Sequence, residues 1–230
     1  MKIAAFSDTH GCIGDPDNLP YIYADVDVIV IAGDIIPLDY QRDHEYSMIW
    51  FRDCFLPWAK KQPVDKIIFI GGNHDKYFEK YPDEINDLIN ESGLSDKVIY
   101  LFDDKYEYGG KVFYGTPWIE NLKNWSFYTS MPYKDFSKIP ECDVLICHTP
   151  PRIDKVGCSY PNTSYEKNYG SMALKTVLDE RETIPVVICG HIHTGTHGGV
   201  KYGNKTIYNV SIVGEDYVEE YSVTYLEITA

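Results

Sequence analysis

Residues 66–75 read Lys66-Ile67-Ile68-Phe69-Ile70-Gly71-Gly72-Asn73-His74-Asp75. The apolar run is too short for a helix and rich in β-branched side chains, so it reads as a buried strand. It stops at a glycine pair, and three residues able to bind or carry charge follow at once. The same order recurs along the chain. Ile3–Phe6 runs into Ser7-Asp8-Thr9-His10-Gly11, and Val26–Ala32 runs into Gly33-Asp34. Asp143–Cys147 runs into His148-Thr149-Pro150-Pro151, and Pro185–Cys189 into Gly190-His191-Ile192-His193. Each of these apolar runs therefore ends in a polar turn.

Helical patterns lie between the strands. Met48, Phe51, Phe55 and Trp58 repeat at three and four residues, although Pro57 obscures where that helix ends. Ser171 is placed to cap a helix whose apolar face carries Leu174, Val177 and Leu178. A further helix is expected over Asp83–Ser92, closed by Gly93. Strands alternating with helices predict a layered α/β protein. Residues 98–115, 205–210 and 218–228 read as strands that pair antiparallel at the ends of the central sheets. The aromatic stretch 116–135 reads as a long functional loop. No repeat or linker divides the chain, so residues 1–230 are expected to form a single domain.

Composition narrows the function. The 230 residues are 44% apolar and 24% charged, typical of a globular chain. Acids outnumber bases 35 to 21, for a formal charge of −14. That surface repels nucleic-acid polymers and anionic membranes, so neither is an expected partner. No apolar run reaches the ~20 residues that cross a bilayer, and the short N-terminal apolar stretch lacks a signal-cleavage region. The six cysteines form no Cys-X-X-Cys pair, which fits a reduced, cytoplasmic protein.

The carboxyl ends of parallel strands form the ligand crevice of an α/β sheet. Five separate turns can therefore bring together Asp8, His10, Asp34, Asn73, His74, Asp75, His148, His191 and His193. Of the seven histidines, only His44 and His197 lie outside these turns. Imidazole with carboxylate and amide oxygens suits Zn²⁺, Mn²⁺ or Fe, and suits Ca²⁺ poorly. Seven candidate ligands are too many for one tetrahedral ion and reasonable for two, with Asp34 the natural bridge. Two ions roughly 3.5–4 Å apart can hold a hydroxide and polarise a phosphoryl group.

In order, Asp8-Thr9-His10, Gly33-Asp34, Gly72-Asn73-His74-Asp75, His148 and Gly190-His191-Ile192-His193 resemble the motif series of the calcineurin-like metallophosphoesterase superfamily. The resemblance implies a four-layer α/β/β/α sandwich of mixed sheets. It implies that Asp8, His10 and His193 hold one metal, that Asn73, His148 and His191 hold the other, and that Asp34 bridges them. Mn²⁺ is the expected ion, with Fe, Zn²⁺ or Ni²⁺ as alternatives. It further implies that His74 contacts the phosphate, as Asn73 also can, and protonates the leaving oxygen, with Asp75 orienting His74.

A narrower likeness runs through Gly115-Thr116-Pro117-Trp118, Trp125-Ser126-Phe127, His148-Thr149-Pro150-Pro151 and Gly157-Cys158. It is similar to the metallophosphoesterase-domain-containing (MPPED) subgroup, whose characterised members hydrolyse phosphodiesters including cyclic nucleotides. Some animal members replace the first histidine of the Gly-His-X-His block with glycine and are weak enzymes. This chain keeps His191, which implies a complete second metal position. The expected substrate is thus a small phosphodiester, a nucleotide among the options. A phosphomonoesterase or protein phosphatase of the same fold is the alternative, and a non-catalytic scaffold the third reading.

Other residues keep two readings. Trp118 and Trp125 offer faces for a nucleobase or serve as loop anchors. Arg152 can meet a phosphate or a surface carboxylate. His197 reaches substrate or solvent, His44 reads as surface, and Cys12 has no expected catalytic role.

Overall fold

The apolar runs form the strands expected of them. In chain order the strands are β1 (Lys2–Phe6), β2 (Val28–Ala32), β3 (Lys66–Ile70), β4 (Val98–Tyr100), β5 (Asp104–Tyr108), β6 (Lys111–Thr116), β7 (Val144–Cys147), β8 (Cys158–Ser159), β9 (Lys167–Asn168), β10 (Val186–Cys189), β11 (Gly198–Tyr202), β12 (Lys205–Asn209) and β13 (Thr224–Glu227). The helices are α1 (His44–Trp50), α2 (Leu56–Lys61), α3 (Lys76–Lys80), α4 (Pro82–Glu91), α5 (Pro132–Phe136) and α6 (Met172–Glu180), with a π-helical turn, Phe51–Phe55, joining α1 to α2. The computed structural model describes residues 1–11, 22 and 25–229. Cys12 lies outside the described residues.

Two mixed sheets stack face to face. The first has the order β13-β1-β2-β3-β4, and the second β11-β12-β10-β7-β6-β5. Parallel pairing dominates both: Ile3 sits opposite Val28, Ile29 opposite Ile67, and Val186 opposite both Val144 and Thr206. Among the described residues, antiparallel neighbours in these two sheets occur at three edges, where β13 joins β1, β11 joins β12 and β5 joins β6, and β8 pairs antiparallel with β9 apart from them. The expectation of antiparallel pairing for residues 98–115 and 205–210 therefore holds only in part. β4, β6 and β12 pair parallel with β3, β7 and β10, because the chain crosses over before it returns to each sheet.

Alternation along each strand sorts side chains into layers. Ile3, Ala5, Val28, Val30, Ile68 and Ile70 face Phe113, Val144, Ile146 and Ile188 between the sheets. The opposite side chains of the first sheet, Phe6, Ile29, Ile31, Ile67 and Phe69, pack on α1, α2, α3 and α4. Those of the second sheet, Leu145, Val187 and Ile207, pack on α5 and α6. The result is the four-layer α/β/β/α sandwich. Each such side chain, fully withdrawn from water, contributes about 1.5–3 kcal/mol.

Local chemistry explains the helix limits. Pro57 has no N–H to give the carbonyl four residues back. The chain widens just before it, where the Leu56 N–H reaches the Phe51 carbonyl, and the periodic Met48–Trp58 face continues across the π turn. Ser171 accepts the Leu174 N–H at 3.0 Å and caps α6 as expected.

Candidate metal centre

The turns at the C-terminal ends of β1, β2, β3, β7 and β10 meet at one end of the sandwich. Backbone bonds sew them together. The Asp8 N–H donates to the Gly33 carbonyl at 3.0 Å, the His10 N–H to the Asp34 carbonyl at 3.0 Å, and the Gly190 N–H to the His148 carbonyl at 3.0 Å. The Ser7 N–H reaches the Val210 carbonyl at 2.9 Å, which locks the two sheets together beside the cluster.

Close approach here excludes larger residues. Gly33 has φ +92°, and a Cβ there would lie 2.7 Å from His148 Nδ1. Asp8, His10, Asp34 and His191 themselves adopt left-handed backbone, with φ of +56°, +44°, +53° and +69°. Such a conformation costs about 1–3 kcal/mol per residue and persists only where the surroundings impose it. Four such residues in one cluster aim their side chains at a common centre.

The ligand atoms converge in overlapping triads. Those of Asp8, His10 and His193 lie within 4.8 Å of one another, as do those of Asp34, His148 and His191, and those of His10, Asp34 and His74. Asn73 Oδ1 joins the second group, 3.0 Å from His148 Nε2. Asp34 Oδ2 lies 3.3 Å from His148 Nε2 and 4.0 Å from His10 Nε2, so one carboxylate faces both groups. All seven residues expected to be ligands are therefore brought together.

Hydrogen bonds fix which ring nitrogen faces the centre. His148 Nδ1 meets the Ala32 carbonyl at 2.8 Å, and His193 Nδ1 meets the Gly214 carbonyl at 3.0 Å. A carbonyl only accepts, so Nδ1 carries the proton in both rings and Nε2 turns inward. His193 Nε2 stands 3.5 Å from Asp8 Oδ1. Both ring nitrogens of buried His10 lack a partner among the described residues. Buried polar atoms are rarely left so, and an inward lone pair beside two carboxylates is what a divalent cation would satisfy.

The charges agree with a cation site. Burial works to raise the carboxyl pKa values of Asp8 and Asp34, yet neighbouring histidines hold both below the ordinary range. Burial lowers His10 to about 4 and His191 to about 3, so both rings are neutral donors at neutral pH. Burial also opposes charge on His148, but Asp34 and Asp8 raise it to about 9. A positive charge at Nε2 is thus strongly favoured, and a proton or a metal ion can supply it.

Two expectations need correction. Asp75 does not touch the His74 ring. Its carboxylate instead accepts the N–H groups of Ile35 at 3.0 Å, Ile36 at 2.8 Å and Gly72 at 2.9 Å, pinning the β2 and β3 turns to each other. Burial and the Asp34 charge raise its pKa to about 8. The residue that orients His74 is Gln41, whose Oε1 lies 2.6 Å from His74 Nδ1 while its Nε2 donates to the Leu38 carbonyl at 2.8 Å. Nothing in Tyr40-Gln41-Arg42 marked this role, because the contact depends on how the β2–α1 loop folds back.

Trp118 is the second. It packs against Phe102 and Phe127 and donates Nε1–H to Asp103 at 2.8 Å, so it anchors the loop away from the cluster. Trp125 takes the position by the site, with its ring 4.5 Å from that of His74. Tyr217 also lines the centre, its ring 4.8 Å from His10 and 5.3 Å from His193. It has φ +60°, and sequence reasoning missed it because no motif surrounds it. His197 is half-buried. It binds the His193 carbonyl at 2.8 Å and stacks on Tyr221. Arg152 is exposed and lines neither cavity beside the cluster, and His44 pairs with Glu84 at the surface.

The chain belongs to the calcineurin-like phosphoesterase family, whose pattern matches residues 1–195. That family is one of metal-dependent phosphoester hydrolases with a dinuclear centre. The chain is 28% identical over 244 residues to the UPF0046 protein T07D4.2 of Caenorhabditis elegans, taking in 92% of this chain and 57% of that protein. A 26% match over 210 residues to a probable rhamnogalacturonate lyase C of Emericella nidulans takes in 85% of this chain and 17% of that protein. The chain thus spans less than two thirds of the length of these curated relatives. The solved phosphopantetheinyl hydrolase (PptH) of Mycobacterium tuberculosis shares the fold, with a TM-score of 0.57 at 14% identity over 94% of this chain and 90% of that one.

Proposed function

We propose that residues 1–230 form one metallophosphoesterase domain that hydrolyses small phosphodiesters, cyclic nucleotides among them, with two divalent ions. The observation that carries this reading is the placement of one buried carboxylate, Asp34, against two separate ligand groups, with His74 beside them. In this reading Asp8, His10 and His193 hold one ion, Asn73, His148 and His191 hold the other, and Asp34 serves both. When bound, two such ions supply a nucleophile at neutral pH and polarise the phosphoryl oxygens. The mixed imidazole and carboxylate donors suit Mn²⁺ first, then Fe, Zn²⁺ or Ni²⁺.

His74 acts as the general acid. Its Nδ1–H is committed to Gln41, so Nε2 is the atom that faces the cluster, 3.9 Å from Asp34 Oδ2. Burial lowers the pKa of the ring, and Asp34 opposes that. The negative charge of a bound phosphoester favours the protonated ring, which then gives its Nε2 proton to the departing oxygen. Asn73 and His74 contact the phosphoryl group, while the rings of Trp125 and Tyr217 limit water on either side.

Among the described residues no helix is long and apolar enough to cross a membrane. Their five cysteines are free and four of them are buried, which supports a reduced, cytoplasmic setting. Hydrolysis of bis(p-nitrophenyl) phosphate and p-nitrophenyl phosphate with Mn²⁺ present tests the proposal. We expect the diester to be cleaved with the higher kcat/KM. Preference for the monoester would make the chain a phosphomonoesterase, and no turnover of either with Mn²⁺, Ni²⁺ or Zn²⁺ would favour the scaffold reading.

A further inference from the structure

Two cavities flank His74, and they differ in chemistry. One, of about 340 Å³, is walled by Arg42, Lys76, Lys80 and Lys123, and its one acid is Glu79. The other, of about 240 Å³, opens onto the cluster and is walled by Tyr169, Tyr217, Leu122 and Ile192. They share Asn73, His74 and Trp125, so they are two arms of one groove that meet where a phosphoryl group would sit.

The basic arm runs against the charge of the molecule. The chain carries −14 overall, yet four of its 21 bases surround this one hollow. Glu79 offsets Lys80 alone, since its carboxylate is engaged with Lys80 at 3.1 Å and with the Phe127 N–H at 3.1 Å. Arg42, Lys76 and Lys123 form no ion pair among the described residues. Arg42 is also pre-positioned, its guanidinium lying 5.0 Å from the Trp125 ring centroid, while that ring lies 4.5 Å from His74. A guanidinium stacked on an aromatic face keeps its N–H edge free for a phosphate.

We infer that the groove selects phosphoesters bearing a second phosphate, held by Arg42, Lys76 and Lys123 while the ester phosphate sits at the metal centre. This rests on the proposed phosphoesterase reading and specifies its substrate class. Several cations around one hollow suit a phosphate dianion better than a single carboxylate. The aromatic arm takes the rest of the molecule, and a nucleoside with phosphates at two positions matches both arms.

Calorimetric titration of the Mn²⁺-loaded protein tests this without requiring turnover. The probes are adenosine 3′,5′-bisphosphate and adenosine 5′-monophosphate. We expect the bisphosphate to bind at least about tenfold more tightly, a difference of about 1.4 kcal/mol. The gap should narrow as salt rises from 0.05 to 0.5 M, because exposed charges are screened. In the triple variant Arg42→Gln/Lys76→Gln/Lys123→Gln the gap should close. Equal affinities in the unaltered protein, or a gap that survives in the variant, would overturn the inference. Failure to cleave any ester while the gap is present would count against the proposed catalysis and leave the second-phosphate site standing.

Discussion

The floor of the groove and its walls are built in different ways. The floor is buried Asp8, His10, Asp34, Asn73 and His148 with half-buried His191 and His193, each within a few residues of a parallel strand's end. The walls are Gln41, Arg42, Trp125 and Tyr217, contributed by loops between elements and set by side-chain contacts. Strand ends are held in place by the sheet ladder, so the floor is as rigid as the sandwich. The walls depend on stacking and single hydrogen bonds, each worth little more than about 1 kcal/mol. On the proposed function, binding power would reside in the floor, and selectivity in parts that can vary without disturbing the fold.

The sharpest way to break this contrast is at Asp34. Asp34→Asn should weaken both ions together. It should lower kcat/KM by more than the roughly 100-fold that follows loss of an outer partner of a metal ligand. Metal titration followed by a rate assay checks this, and two tight sites persisting in the variant would remove Asp34 as the shared ligand.

His74 belongs to both regions, since it lies beside the floor and is held by a wall residue. His74→Asn should keep the metals and lose about 10²–10⁴-fold in kcat, the usual worth of a general acid. Gln41→Ala should lose less, about tenfold, with metal content unchanged. Gln41→Glu, which retains an oxygen at the same place, should recover part of that loss. Identical kcat in Gln41→Ala and the unaltered protein would show that the 2.6 Å contact does not position the ring.

The two tryptophans provide the smallest and most local test. Trp118→Ala removes packing against Phe102 and Phe127 and the bond to Asp103, so we expect about 2 kcal/mol of destabilisation with KM little changed. Trp125→Ala removes a ring from the groove, so we expect a KM for nucleotide esters raised about tenfold with stability nearly intact. Urea melts and KM values for both variants would settle it, and the reverse pattern would exchange the two roles.

The strand-end residues were legible because apolar runs of four or five residues mark parallel strands, and the chemistry begins where each run stops. The seven candidate ligands came from the ordered motif series, and the structure brings the same seven side chains together. Asp75 was misread because adjacency to His74 in sequence says nothing about side-chain direction, and its carboxylate turns to the backbone of residues 35, 36 and 72. Trp118 and Trp125 looked equivalent for a similar reason. Both lie in one aperiodic stretch, and only in three dimensions do their contacts separate them, Trp118 meeting Phe102 and Trp125 meeting His74.

The amino-acid sequence by itself therefore determined the layered architecture and which polar residues gather at the strand ends, because local periodicity and residue chemistry encode both. The tertiary structure alone decided that Gln41 holds His74, that Tyr217 faces His10 and His193, and that four bases ring one arm of the groove. Those relations join residues distant in sequence through loop paths and side-chain rotamers, for which the chain carries no repeating signal.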